Sequence, residues 1–363
     1  MVQCERLFES HTVITEDGYS LTLLKIPACG GVSTKPPVLM VHGLISTGIH
    51  WFMNTPQKDL PHKLASQGYD CWLANLRGTS LSRSHVRVPS HTTKFWDFSW
   101  HEMGQYDLPA MIDYILNHSG STTLSYVGHS MGCAVYFVAM ALHPELNSKI
   151  NVMVALAPSV YGRHIRNTLA RISVPVGTFL GKLRSVYSRE IFPMTLIAYA
   201  KKFLPYLTLN PERVGSWILR TFGTQTGVMG NQQIEKHRMI RIAGELPSPT
   251  SLKTFCHGTQ CFSSGRFQQY DYGKIGNYHR YGEPEPPIYD ISKTTAPVAT
   301  FYSIGDQLCT INDVSMLAKQ LPNLIGNFGI HHTQFAHTDF MFGKDADRLV
   351  YDKILLILDQ HIM

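Results

Sequence analysis

Four short apolar runs constrain this chain more than any other feature. PVLMVHGL (37–44), YDCWLANLRG (69–78), LSYVGHS (124–130) and INVMVALAP (150–158) are of strand length, and their apolar stretches do not alternate with polar residues. Runs of this kind are buried on both faces, as in a parallel sheet covered by helices. Between the second and third runs, HEMGQYDLPAMIDYILNHS (101–119) places Met103, Tyr106, Ile112 and Ile115 roughly on one helical face. Strand-like and helix-like segments in alternation predict an α/β fold with a mostly parallel sheet. With 363 residues, 44% of them hydrophobic, the chain has ample material for such a core without disulfide support.

The rhythm stops after Pro158. Residues 184–293 carry aromatic, glycine and proline clusters such as FGTQTGVMG and NYHRYGEPEPPIYD. The sheet pattern resumes at PVATFYSIGDQL (297–308), and DADRLVYDKILLILDQHI reads as a closing helix. The expected organisation is a core in two parts, 1–183 and 294–363, interrupted by a largely helical cap and lid over 184–293. Insertions of that size over a sheet are commonly functional.

The chemistry starts at Gly128-His129-Ser130-Met131-Gly132, a G-x-S-x-G between the apolar LSYV and the apolar CAVYFVAMALHP. Strand, tight turn and helix are the context that a nucleophile elbow requires. The turn strains the serine backbone, and the chains that flank it approach too closely for a Cβ at 128 or 132. A serine nucleophile needs a base, and the base needs an orienting acid. In a fold of this class they follow in the order acid, then histidine. Asp306, at the carboxyl end of ATFYSIG, and His337, in TQFAHTDFMFG before the last helix, are the candidates. Asp313, Asp339 and the adjacent His331 and His332 compete with them; Asp313 reads as a helix-start residue and the paired histidines as solvent-facing. An oxyanion needs two donors: the N–H of Met131, and the N–H of Leu44 in VHGLIS, where Gly43 permits close backbone approach.

Composition narrows the rest. The formal net charge is +6 with 18 histidines, so acid would make the protein strongly cationic and favour anionic lipid surfaces. No basic-aromatic module points to nucleic acid. Seven cysteines include no C-x-x-C pair, which argues against zinc and thioredoxin chemistry, and only Cys256 and Cys261 are close enough to suggest a local disulfide. MVQCERLFESH has no apolar segment of a signal peptide, so either a leader was removed or the product is intracellular. The longest apolar run, Cys133 to Leu142, is too short to span a membrane and reads as a buried helix.

The motifs TEDGYSL, PPVLMVHGL, WFMNTP, GYDCWLANLRG, FWDFS, YDLPAMIDYI, YVGHSMG, LAPSVY, SGRFQQYDYG, PPIYD, LPNL and HTDFMFGKDA run through nearly the whole chain. In them the sequence resembles the acid lipase family: gastric lipases, lysosomal acid lipase and their insect relatives. The resemblance implies an α/β-hydrolase core with a cap and mobile lid, and hydrolysis of neutral lipid esters, triacylglycerols and in some members sterol esters. It carries the nucleophile, acid and base onto Ser130, Asp306 and His337, and the oxyanion donors onto Leu44 and Met131. It implies no cofactor and no metal, a monomer that touches lipid–water interfaces peripherally, and a secreted or lysosomal location. The sequon Asn117-His118-Ser119 fits that location.

The chain departs from the family in three places. Met131 stands where relatives often carry Gln, and His101 stands where an acidic residue often precedes Glu-Met. IEKHRMIRIAGELPSPTS lacks the cysteine that the family's cap disulfide needs. The residues leave two other readings open: a soluble carboxylesterase on smaller esters, and a catalytically silent lipid-binding protein.

Overall fold

In the computed structural model, which describes residues 8–55, 58–182, 189–191, 233–234, 238, 241–242 and 245–362, the apolar runs become the interior of one twisted sheet. β1 (Glu9–Ile14) and β2 (Tyr19–Ile26) pair antiparallel, followed by β3 (Val38–Val41), β4 (Cys71–Ala74), β5 (Ser84–His85), β6 (Leu124–His129) and β7 (Ile150–Leu156). β8 (Glu190–Ile191) and β9 (Thr250–Ser251) form a separate two-stranded ribbon. β10 (Val298–Ser303) and β11 (Leu324–Ile330) complete the main sheet, in the order β1-β2-β4-β3-β6-β7-β10-β11, with β5 attached to β2. From β4 to β11 every pairing is parallel.

The absence of polar alternation in these strands has a direct cause: both faces are covered. Leu39, Val41, Trp72, Ala74, Tyr126, Met153 and Ala155 belong to one apolar core. Their strand neighbours Val38, Met40, Cys71, Leu73, Val127, Val152 and Val154 belong to a second core on the other face. Side chains alternate across a strand, so a continuous apolar run feeds both layers.

Among the described residues, the α-helices longer than one turn are α1 (Leu60–Ala65), α2 (Leu108–Ser119), α3 (Met131–Leu142), α4 (Thr168–Gly181), α5 (Leu252–Ser264), α6 (Gly273–Tyr281), α7 (Ile311–Ala318) and α8 (Asp352–Gln360). α2 and α3 cover the first face, and α1 and α8 cover the second. α3 is buried on every side from Met131 to Ala141, as its uniform apolarity requires. The helix over 101–119 begins as a turn at Trp100–Glu102 and widens to a π-helical stretch at Met103–Asp107 before α2. Gly104 sits at that stretch, and a Cβ on it would lie 2.5 Å from the Val138 side chain of α3. No described helix is long and apolar enough to cross a membrane.

Much of the segment 184–293 lies outside the described residues. Its part from Glu245 onward packs on Asp97–Glu102. Ser251 and Thr254 bond the Phe98 carbonyl, and Lys253 Nζ reaches Asp97 at 2.8 Å. His101 places Nδ1 2.8 Å from the Tyr289 hydroxyl. α5 also crosses α4 closely, since a Cβ on Gly177 would meet Thr259 at 2.6 Å.

The local disulfide expected at Cys256 and Cys261 is absent. Both are free buried thiols on α5. Five residues along a helix turn the side chain by about 140°, so the two sulfurs leave the axis in different directions. Cys71, Cys133 and Cys309 are also free and buried, whereas Cys29 is disulfide-bonded.

Candidate active site

Ser130 stands between β6 and α3 with φ 53° and ψ −115°, a backbone conformation costly for a residue with a side chain. Its surroundings hold it there. The Ser130 N–H donates to the Leu156 carbonyl at 2.9 Å, and the Ser130 carbonyl accepts from Cys133 N–H at 3.0 Å. The two elbow glycines are needed for space rather than for positive φ. A Cβ on Gly132 would lie 2.5 Å from the Val41 carbonyl oxygen, and one on Gly128 would lie 3.1 Å from Cys133 N. Both obstacles are main chain and cannot rotate away. Gly132→Ala is therefore expected to cost about 3 kcal/mol of stability, read as a fall in the urea midpoint with unchanged m.

β10 and the loop before Asp339 supply the other two groups. His337 Nε2 lies 2.8 Å from Ser130 Oγ, and His337 Nδ1 lies 2.8 Å from Asp306 Oδ2. Asp306 is 1% exposed, and its Oδ1 accepts the N–H groups of Leu308 and Cys309 at 2.8 and 3.0 Å. The loops that carry Asp306 and His337 are pressed together: a Cβ on Gly305 would lie 2.5 Å from the carbonyl oxygens of both Phe335 and Thr333. Ser303 Oγ also donates to the Phe335 carbonyl at 2.5 Å.

The competing residues are committed elsewhere. Asp313, in the first turn of α7, takes the Thr310 hydroxyl at 2.9 Å and both the N–H and Nδ1 of His164. Asp339 caps its own turn by accepting Ala336 N–H at 2.6 Å. His331 is exposed and His332 half-buried.

The loop after β3 approaches the elbow at Gly43, where a Cβ would lie 3.1 Å from both Ser130 Cβ and His129 Nδ1. Leu44 and Ile45 form the turn, with Ile45 at φ 55°. The N–H of Met131 is at the first turn of α3, where helices leave N–H groups without intrahelical partners. The Met131 side chain is buried in the first core, an environment that suits an apolar residue.

Two further histidines shape the site. His129 Nε2–H donates to the main-chain carbonyl of His337 at 2.9 Å, tying the His337 backbone to the elbow. Burial, then the neighbouring His337 ring, press the pKa of His129 down to about 3. It stays neutral and adds no charge beside His337. His42 Nε2 accepts Leu76 N–H at 3.2 Å, so Nδ1 carries the proton and donates to the Gly43 carbonyl at 2.7 Å. Burial lowers its pKa to about 4. The only sequence signal for either residue is a histidine beside the glycine of each motif.

A hydroxyl on an imidazole that is itself held by a buried carboxylate can lose its proton as it attacks, which suits acyl transfer. Comparison with known proteins agrees in kind. A profile for the α/β hydrolase fold matches residues 36–173, and one for a partial α/β-hydrolase lipase region matches residues 3–55. Lipase 1 of Drosophila melanogaster is 35% identical over 96% of this chain and 76% of its own length. The gastric triacylglycerol lipase of Rattus norvegicus is 34% identical over 96% of this chain and 88% of its own. The chain belongs to the acid lipase family. It is a lipase, a carboxylic ester hydrolase on the α/β-hydrolase fold. A solved monoglyceride lipase of Saccharomyces cerevisiae shares that fold with a TM-score of 0.63 at 13% identity, covering 99% of this chain and 98% of the other.

Proposed function

We propose that Ser130, His337 and Asp306 are the catalytic triad of this lipase, with the N–H groups of Leu44 and Met131 as oxyanion donors. The observation that carries this reading is the continuous chain from Ser130 Oγ through His337 to Asp306, with both contacts at 2.8 Å. Ser130 Oγ attacks the ester carbonyl carbon while its proton passes to His337 Nε2. Asp306 holds the imidazolium through Nδ1–H. The tetrahedral oxyanion accepts from the two N–H groups, then collapses as His337 returns the proton to the departing alcohol. Water, deprotonated by the same imidazole, releases the acid and frees Ser130.

The substrates are neutral lipid esters, triacylglycerols or sterol esters, met at a lipid–water interface by a monomer. The family's gastric triacylglycerol lipases support that class. So do Ile172, Val176 and Phe179, which are spaced along one face of α4 and are each more than half exposed. A cap and lid over 184–293 would cover the acyl chain. A secreted or lysosomal location accords with the disulfide at Cys29 and with the exposed Asn117 of the sequon.

A fluorophosphonate probe is expected to label Ser130 alone, as mapped by peptide mass spectrometry. A label on another serine overturns the triad. Emulsified triolein is expected to be turned over faster than a short-chain soluble ester; the reverse ranking makes the protein a soluble carboxylesterase.

A further inference from the structure

Glu9 and His11 share one face of β1, two residues apart, and His118 lies in the last turn of α2. One oxygen of Glu9 and one ring nitrogen from each histidine lie within 4.8 Å of one another. The site is far from the triad. β1 is four strand steps from β6 in the sheet order, or about 19 Å across the sheet.

The rings are held in place before any ligand arrives. His11 and His118 both pack against Trp72, with centroids 4.8 and 5.2 Å away, and lie 4.8 Å from each other edge to face. Tyr114, one turn before His118, stacks on it at 15°. Its hydroxyl is 3.0 Å from His11 Nδ1. A second polar group on the far nitrogen fixes which ring nitrogen of a metal-binding histidine faces the ion. With the proton on Nδ1, Nε2 presents its lone pair. That Nε2 is buried and has no hydrogen-bond partner, though Glu9 Oε2 stands only 3.4 Å away. Two ligands of a tetrahedral zinc ion are separated by about 3.3 Å. The unsatisfied nitrogen and the carboxylate therefore share a point that a metal ion would satisfy and a hydrogen bond does not.

The charged groups that face this point are Glu9, Lys25 and Asp70. Lys25 Nζ is 3.8 Å from Glu9 but 3.2 Å from Asp70, which draws the ammonium toward the neighbouring strand. Two imidazoles and one carboxylate suit a divalent transition metal and do not suit calcium or magnesium.

We propose that Glu9, His11 and His118 form a zinc-class site that clamps edge strand β1 onto the end of α2, with water completing the tetrahedron. Calorimetric titration of the full chain with Zn²⁺ near neutral pH is expected to show a saturable site. That site is weakened at least tenfold in H118A and in H11A, and about tenfold in Y114F. Zn²⁺ is expected to raise the Tm of the wild type but not of H118A, while ester hydrolysis by H118A stays at the wild-type rate. His118 is exposed, so H118A is expected to fold. If two sites appear and one is lost in H118A, the lost one is the site proposed here. Absence of saturable binding, or binding that survives both histidine substitutions, overturns the proposal. In the surviving case, Asp306, Cys309 and His337 are the next donor set to examine, since their ligand atoms also lie within 4.8 Å of one another.

Discussion

Ser130→Ala is expected to lower kcat on any ester substrate by about 10⁴- to 10⁶-fold while leaving KM within a few-fold. The asymmetry follows from where the hydroxyl acts. In the proposed mechanism it makes no bond to a bound ground-state ester that other contacts cannot replace, but it forms the covalent bond of the acyl-enzyme. His337 and Asp306 cannot substitute for it, because without Oγ the imidazole has no nucleophile to deprotonate except water. The residual rate expected is that of the two proposed N–H donors and of substrate binding. The same donors make the folding control informative. Alanine keeps the strained φ of 53° and the Ser130 main-chain hydrogen bonds, so urea unfolding is expected to shift by less than about 1 kcal/mol. Steady-state kinetics that retain more than a tenth of the wild-type kcat in a folded S130A protein would show that the nucleophile is another residue.

The parts of the structure that were legible from the sequence share one property: their signal is local. β3, β4, β6 and β7 announce themselves as apolar runs because each is buried on both faces. The elbow is readable because strand, turn and helix are consecutive in the chain. Asp306 and His337 can be read from their places at the end of a strand and before the last helix. The β1–β2 pair is harder to read, since β1 lies at the sheet edge and buries only Val13 fully. His129 and His42 leave no such local signal, because their partners are main-chain groups. That of His129 belongs to a residue 208 positions away, and no pattern of residue types encodes such a bond. Cys256 and Cys261 mislead for the opposite reason. Proximity in sequence suggests a bridge, but the helix that contains them sends the two thiols apart. The role of His101 depends on Tyr289, which the chain brings to it from 188 residues away.

Folding stability is expected to fall by about 6 kcal/mol between pH 7 and pH 5, because three imidazoles are buried in the neutral form. Burial is the leading cause in each case, and it lowers the pKa of His42 to about 4 and of His129 and His257 to about 3. In the unfolded chain these rings titrate near 6.5. Between 6.5 and the folded values the unfolded state binds protons that the folded state does not, so stability rises with pH across that window and is lost on acidification. At pH 5 each ring contributes a loss of about 2 kcal/mol, which is large against the 5–15 kcal/mol typical of a folded domain. Glu102 acts in the same direction, but lower. Burial raises its pKa, yet Lys253, His101 and the Ser99 N–H outweigh that and hold it at about 2, so its contribution is lost only below the ordinary carboxylate range. Urea unfolding at constant ionic strength measures the total, and equal or greater stability at pH 5 would show that these rings are not neutral in the folded protein. His257→Gln separates one ring from the others. His257 sits among Trp100 Nε1, Ser99 Oγ and the Gln268 carbonyl, away from the triad. The variant is expected to be less stable than the wild type at pH 7, yet its loss on going to pH 5 should be smaller by about 2 kcal/mol.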